Sequence, residues 1–201
     1  MQGFSGASIP EDATVIQLFE KILNARRSVY AYRDDEVPIA YLRWALDAAV
    51  AGPNHHKTRP WRFHVFTKGG REKLANAYEA AAIRLSRDPS KARARAFEAP
   101  VMIAVSCVPE AGNPKVKQQE EEFATAVAIE NLMLALAALN IGSLWTSGDF
   151  VTGFELASTL SINTAYSKVL GVVHVGYADA KRPLPPRDFV PHDQFTTWID
   201  A

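Results

Sequence analysis

Apolar positions recur along this chain with two periods. Over residues 14–25, Val15, Leu18, Phe19, Ile22 and Leu23 follow an i, i+3, i+4, i+7, i+8 spacing, which lays them on one face of a helix. A second helix begins near Pro38, whose fixed φ suits a first helical position. Its stripe is Leu42, Ala45, Leu46, Ala49 and Val50, and Gly52-Pro53 stops it. Residues 61–67 alternate and are rich in aromatics and Val, which predicts a strand closed by Gly69-Gly70. A helix over 71–86 follows, with a further turn or two before Glu98. The continuous apolar run 101–108 predicts a central strand buried on both faces. Residues 117–140 form the longest helix, apolar nearly all round from 124 to 139, so it belongs deep in the protein or in a dimer interface. The acidic triplet Glu120, Glu121, Glu122 reads as the solvated start of that helix, where negative charge suits the dipole. A short strand over 143–146, a weaker helix over 153–160 and an apolar strand over 168–177 complete the pattern. The remainder, 178–201, carries Pro183, Pro185, Pro186 and Pro191 and reads as an extended tail lying over a surface, its own or a partner's.

Helices and strands alternate without the regular βαβ spacing of a dinucleotide fold, so the expectation is an α+β layered domain with a mixed central sheet. A length of 201 residues, 48% of them hydrophobic and 22% charged, suits one domain over 1–201, with 1–13 and 190–201 as extended arms. Lys plus Arg and Asp plus Glu are both 22, so the formal charge is zero, which argues against nucleic acid or an anionic membrane as partner. No run reaches the roughly 18 apolar residues of a membrane span. The first residues carry neither a basic nor an apolar signal region, and Cys107 is the only cysteine. A cytoplasmic location is the expectation.

Several familiar sites are missing from the sequence. There is no GxGxxG after a strand, no GxxxxGK[ST], no GxSxG elbow, no HExxH and no paired Cys motif. Three segments read as more than scaffold. Arg26-Arg27-Ser28 ends the first helix, and two guanidiniums beside a hydroxyl can hold a dianionic phosphate. The plainer alternative is that basic residues favour a helix C-terminus. Residues 53–61, Pro-Asn-His-His-Lys-Thr-Arg-Pro-Trp, form a cationic loop between apolar elements, or else a simple connection; the adjacent His55 and His56 have no third metal ligand at useful spacing. Residues 142–149 offer small groups that would let a planar ligand approach the backbone, or a buried Trp145 followed by a helix cap. Cys107, His64 and His174 lie within apolar strands and read as packed groups.

In this order the segments resemble the FMN-dependent nitroreductase family. Arg26, Arg27 and Ser28 match its Arg-Arg-Ser opening, and 53–63 match its loop ending in Pro-Trp-x-Phe. Asn131-Leu132 through Gly142 and Trp145 match its long helix and following strand, and Gly171, Gly176-Tyr177 and Pro183 to Arg187 match its last strand and tail. The Pro-Asn-His form of the loop is similar to a small single-domain bacterial subgroup with Pro-Asp-His. The resemblance implies a layered α/β/α fold and a homodimer with two FMN sites at the subunit interface. It implies Arg26, Arg27 and Ser28 on the FMN phosphate with Arg187 as a further candidate, and Asn54 and His55 in the loop, His55 approaching a flavin held by the other subunit. Trp145, Thr146 and Ser147 would line the flavin or its ribityl chain. The chain departs from the family pattern at Tyr30, Asn54 and Arg59, and Arg33, Lys57 and Arg59 all stand as candidates for the cation facing flavin N1 and O2.

The implied chemistry is a ping-pong reaction in which NAD(P)H reduces the flavin and an acceptor such as a nitroarene or quinone reoxidises it. The protein's part is orientation and electrostatics, which explains why no nucleophile set is needed. The alternatives are a flavin reductase-like or flavin-fragmenting member of the superfamily, a flavin- or small-ligand-binding protein without turnover, and a scaffold with no cofactor.

Overall fold

A single four-stranded sheet organises the molecule. In the computed structural model, residues 13–110, 112–184, 186, 187 and 190–199 are described. The strands are β1 (Trp61–Thr67), β2 (Val101–Cys107), β3 (Gly142–Thr146) and β4 (Lys168–Gly176), in the spatial order β1-β2-β4-β3. All three pairings are antiparallel, which corrects the expectation of a mixed sheet. The parallel contact is an isolated bridge between Ser28 and Ser143, outside the regular strands. Alternating helices and strands do not fix strand direction, and β2 and β4 run in opposite directions. As expected from its apolar run, β2 is central, and all seven of its residues are buried.

Strand alternation gives the sheet two chemically distinct faces. Phe63, Ile103, Val105 and Val173 point toward α2 (Ile39–Ala49) and α5 (Gln118–Ala138). Phe66, Met102, Ala104 and Val172 point toward α3 (Arg71–Arg84), α4 (Pro89–Arg95) and α6 (Phe154–Thr159). Ile129, Leu132 and Leu136 place α5 firmly on the first face, and all three are fully buried. Each such side chain contributes roughly 1.5–3 kcal/mol through burial. Pro38 stands one residue outside α2, as its N-cap, rather than as its first helical residue. Asp88 starts α4 by accepting hydrogen bonds from the backbone N–H groups of Ser90 and Lys91.

α1 (Ala13–Ala25) packs on α5 but leaves Val15, Leu18 and Phe19 exposed. The described part of the tail makes one short 3-10 turn, His192–Gln194, and exposes Phe195, Trp198 and Ile199. The expected N-terminal arm, 1–13, lies outside the described residues except for Ala13, which opens α1. Among the described residues no helix is long and apolar enough to cross a membrane.

Candidate functional site

The end of α1 gathers the first cluster. After Ala25 the chain extends beside the first residues of β3, where Val29 donates its N–H to the Ser143 carbonyl at 3.0 Å. Gly142 permits this approach, since a Cβ there would lie 2.8 Å from Val29 Cγ2. Arg26 pairs with Glu130 of α5 at 3.5 Å. From the far end of the chain, Arg187 Nη1 donates to the Leu23 carbonyl at 2.7 Å. Arg26, Arg27 and Ser28 thus follow directly on the last turn of α1, and Arg187 from the tail bonds that turn at Leu23. No sequence spacing could have predicted that Arg187 docks on this turn.

The loop before β1 is built with unusual backbone. His56, Lys57 and Arg59 have φ of 61°, 56° and 53°, the left-handed region. For residues other than glycine this costs on the order of 1 kcal/mol or more each and requires compensating contacts. Those contacts come from the Asn54 and Thr58 side chains. Asn54 Nδ2 donates to Thr58 Oγ1 at 3.1 Å and to Glu121 Oε1 at 3.2 Å, while Asn54 Oδ1 accepts the Arg59 backbone N–H at 2.6 Å. Thr58 Oγ1 lies 2.7 Å from both carboxylate oxygens of Glu121. Arg62 Nη1 adds bonds to the Arg59 and Trp61 carbonyls, both at 2.8 Å. His55, His56, Lys57 and Arg59 are left exposed, with the two imidazole rings 3.8 Å apart between centroids. Asn54, expected to meet a ligand, has its side chain committed inside the loop. Glu121 corrects the reading of the acidic triplet as solvated, because it is only 1% exposed.

The third segment follows β3. Trp145 Nε1 donates to the Leu170 carbonyl at 3.3 Å, and the indole lies so close to Gly171 that a Cβ there would be 2.1 Å from Nε1. Thr146 Oγ1 donates its proton to the Val172 carbonyl at 3.1 Å. Its contact with His174 Nε2, at 3.3 Å, must therefore have the imidazole as donor, which leaves Nδ1 unprotonated. Nδ1 is buried, lacks a hydrogen-bond partner among the described residues, and sits 3.7 Å from Glu98 Oε2. Burial, reinforced by the nearby Arg95 charge, pushes the His174 pKa down to about 4. His174 faces a cavity of about 200 Å³ that Tyr78, Arg87, Glu98, Ser147 and Asp149 also line. The Tyr78 hydroxyl is buried without a partner among the described residues, and burial followed by the Glu98 charge raises its pKa.

Arg33 is separated from the other two candidate cations. It pairs with Asp35 at 3.2 Å and lies over the Tyr177 ring at 5.3 Å, at the Gly176 end of β4. Lys57 and Arg59 precede Trp61, which lies opposite Cys107 and hence at the Lys168 end. Among the described residues no group of three His, Cys, Asp or Glu could hold a metal ion. Sequence reasoning missed Glu121 as a site-building residue. Its spacing to Ala124, Thr125 and Ala128, all buried, was the available signal.

Comparison with known proteins supplies the family. The profile of the Nitroreductase family matches residues 23–177. The Bacillus subtilis protein YfhC, named as an NAD(P)H nitroreductase, is 27% identical over 178 residues, covering 83% of this chain and 90% of its own. YdjA of Escherichia coli K12, similarly named, is 27% identical over 164 residues, covering 80% and 88%. Among solved structures, a nitroreductase-like protein from Bacillus cereus superposes with a TM-score of 0.79 at 22% identity, covering 91% of this chain and 96% of the other. NfnB of Mycobacterium smegmatis, described as FMN-dependent and solved with NADPH, gives 0.70 at 18% identity, covering 92% and 100%.

Proposed function

The chain belongs to the nitroreductase family, and from that premise we propose that it is an FMN-carrying oxidoreductase that uses NAD(P)H to reduce an electrophilic acceptor such as a nitroaromatic or a quinone. The observation that carries this reading is the docking of Arg187 onto Leu23 in the last turn of α1, next to Arg26, Arg27 and Ser28. A dianionic phosphate suits such a cluster, because guanidinium forks and a hydroxyl donate to its oxygens and the charges attract. Trp145, Thr146 and Ser147 fit as the lining of the flavin or its ribityl chain, and Asn54 and His55 belong to the loop that approaches it. Lys57 and Arg59 are favoured over Arg33 as the cation near flavin N1 and O2, because Arg33 is engaged with Asp35 and Tyr177 at the other end of the sheet.

Bound FMN would supply hydride chemistry between NAD(P)H and the acceptor, in a ping-pong sequence, while Arg26, Arg27, Ser28 and Arg187 would hold its phosphate. Donors fixed beside N1 and O2 stabilise the negative charge that reduction places there. We propose further that the protein acts as a homodimer. The loop before β1 and the β3 segment lie at opposite edges of the sheet, and one copy does not join them. Val15, Leu18 and Phe19 of α1, Phe123 of α5 and Trp198 of the tail leave apolar surface exposed, of the kind that marks a contact. His55 of one copy would then approach the flavin held by the other.

The test is an absorbance spectrum of FMN-reconstituted protein, taken without oxygen before and after NADPH. Visible flavin bands that bleach are expected, and protein that stays colourless after reconstitution overturns the reading. Light scattering at micromolar concentration should give the mass of two chains.

A further inference from the structure

Glu121 is a buried carboxylate with an unusual set of partners. Among the described residues no cation lies within ion-pair distance of it, and its donors are the neutral side chains of Asn54 and Thr58. The network links the loop to α5. The Arg59 N–H donates to Asn54, Asn54 donates to Thr58 and Glu121, and Thr58 donates to Glu121. Asn54 Nδ2 and Thr58 Oγ1 both reach the carboxylate on α5, and Thr58 Oγ1 also lies 3.3 Å from Asn54 Oδ1. Buried polar groups hold their place only when such bonds are complete, and a complete network fixes a single conformation. The segment it fixes is the one with three left-handed residues, His56, Lys57 and Arg59.

We propose that Glu121 is a positioning residue: through Thr58 and Asn54 it sets the backbone of the loop, and so sets where Lys57 and Arg59 stand against a bound flavin. The role rests on the functional reading above only in its last step. Glu121 touches no cofactor itself; it acts through the loop. Its carboxylate is needed for its acceptor oxygens. Glutamine keeps one oxygen to accept from Asn54 and Thr58, and its amide can donate to the Thr58 hydroxyl, so it should largely preserve the loop. Alanine should not.

The experiment compares wild type with Glu121→Ala, Glu121→Gln and Thr58→Val, the last retained in case Glu121→Ala fails to fold. Limited trypsin cleavage of the Lys57–Thr58 bond is measured in flavin-free protein, since the Arg59–Pro60 bond resists trypsin. FMN affinity and the midpoint potential of bound FMN are measured on the same proteins. Cleavage about tenfold faster in Glu121→Ala and Thr58→Val, and within about threefold of wild type in Glu121→Gln, is expected. FMN should bind about tenfold more weakly to the first two, with a lowered potential as the cations leave its edge. A merely structural role would leave that potential unchanged. Equal cleavage in all four proteins overturns the positioning role. Faster cleavage with unchanged affinity and potential overturns its link to the flavin. Wild type that binds no FMN defeats the functional reading instead, while the cleavage contrast still decides whether Glu121 holds the loop.

Discussion

The two faces of the sheet treat buried polarity in opposite ways. On the α5 side, Glu121, Thr125, Asn54 and Thr58 form a set in which each polar side chain has a protein partner. On the α3, α4 and α6 side lie His64, Tyr78, Ser106 and His174, each with one buried polar atom that no group among the described residues satisfies. Strand alternation produces the segregation. His64, Ser106 and His174 share the face of Phe66, Met102 and Val172, whereas Ile103, Val105 and Val173 on the other face are wholly apolar. A satisfied network resists change and defines shape. Unpartnered groups define little, but they respond to protons.

The largest break should come from the satisfied side. Glu121→Ala removes the acceptor of two charge-assisted bonds and should cost about 4 kcal/mol in chemical denaturation, against about 1.5–3 kcal/mol for each such bond. An unchanged midpoint would mean that the loop holds itself. The next effect belongs to the other face. Folded His174 titrates at about 4 against an ordinary 6.5, so as pH falls the unfolded chain takes the proton first. Stability should be full above about pH 6.5, fall by up to about 3 kcal/mol toward pH 4, and level off below. Glu98, whose pKa burial raises, works the other way by holding its proton more readily in the folded state, but its side chain is half exposed and the effect is screened. Arg95 also bears on His174 and lowers its pKa further. His174→Leu should flatten the acid limb of the stability profile; an unaltered slope would place the acid sensitivity elsewhere.

The smallest effects make the sharpest pair, because each deletes one hydroxyl. Thr58→Val takes a donor from Glu121 and should cost about 2 kcal/mol. Tyr78→Phe deletes a hydroxyl that has no partner among the described residues, and should be neutral or stabilising by up to about 1 kcal/mol. Equal losses in thermal melts of the two variants would erase the distinction between the faces.

The helices and strands were legible because their apolar periods are strong: the stripe of α2, the run of β2 and the valines of β4 all lie where the pattern puts them. Strand direction was not, since an apolar run reads the same in either sense. Arg26, Arg27, Ser28 and the 53–61 loop stood out as sequence because polar groups cluster there against apolar neighbours. Glu121 did not, because a run of three glutamates at a helix start has an adequate explanation in the dipole. Its burial depends on donors that lie 63 and 67 residues earlier in the chain. Arg187 is a similar case, since its partner Leu23 is 164 positions away. Long-range hydrogen bonds of this kind leave no periodic trace.

α5 anchors two separate parts of the candidate machinery, the loop through Glu121 and Arg26 through Glu130. Nine residues at about 1.5 Å each separate them by about 14 Å, and at about 100° per residue they emerge on opposite sides of the helix. The helix therefore behaves as a ruler. One residue inserted between these positions would shift the far end by about 1.5 Å and swing it through about 100°, so that only one attachment could be kept. Length variation among relatives should thus avoid this stretch and gather in the connection ahead of α5, where the backbone from Asn113 to Val116 makes a turn and nothing is measured against anything else.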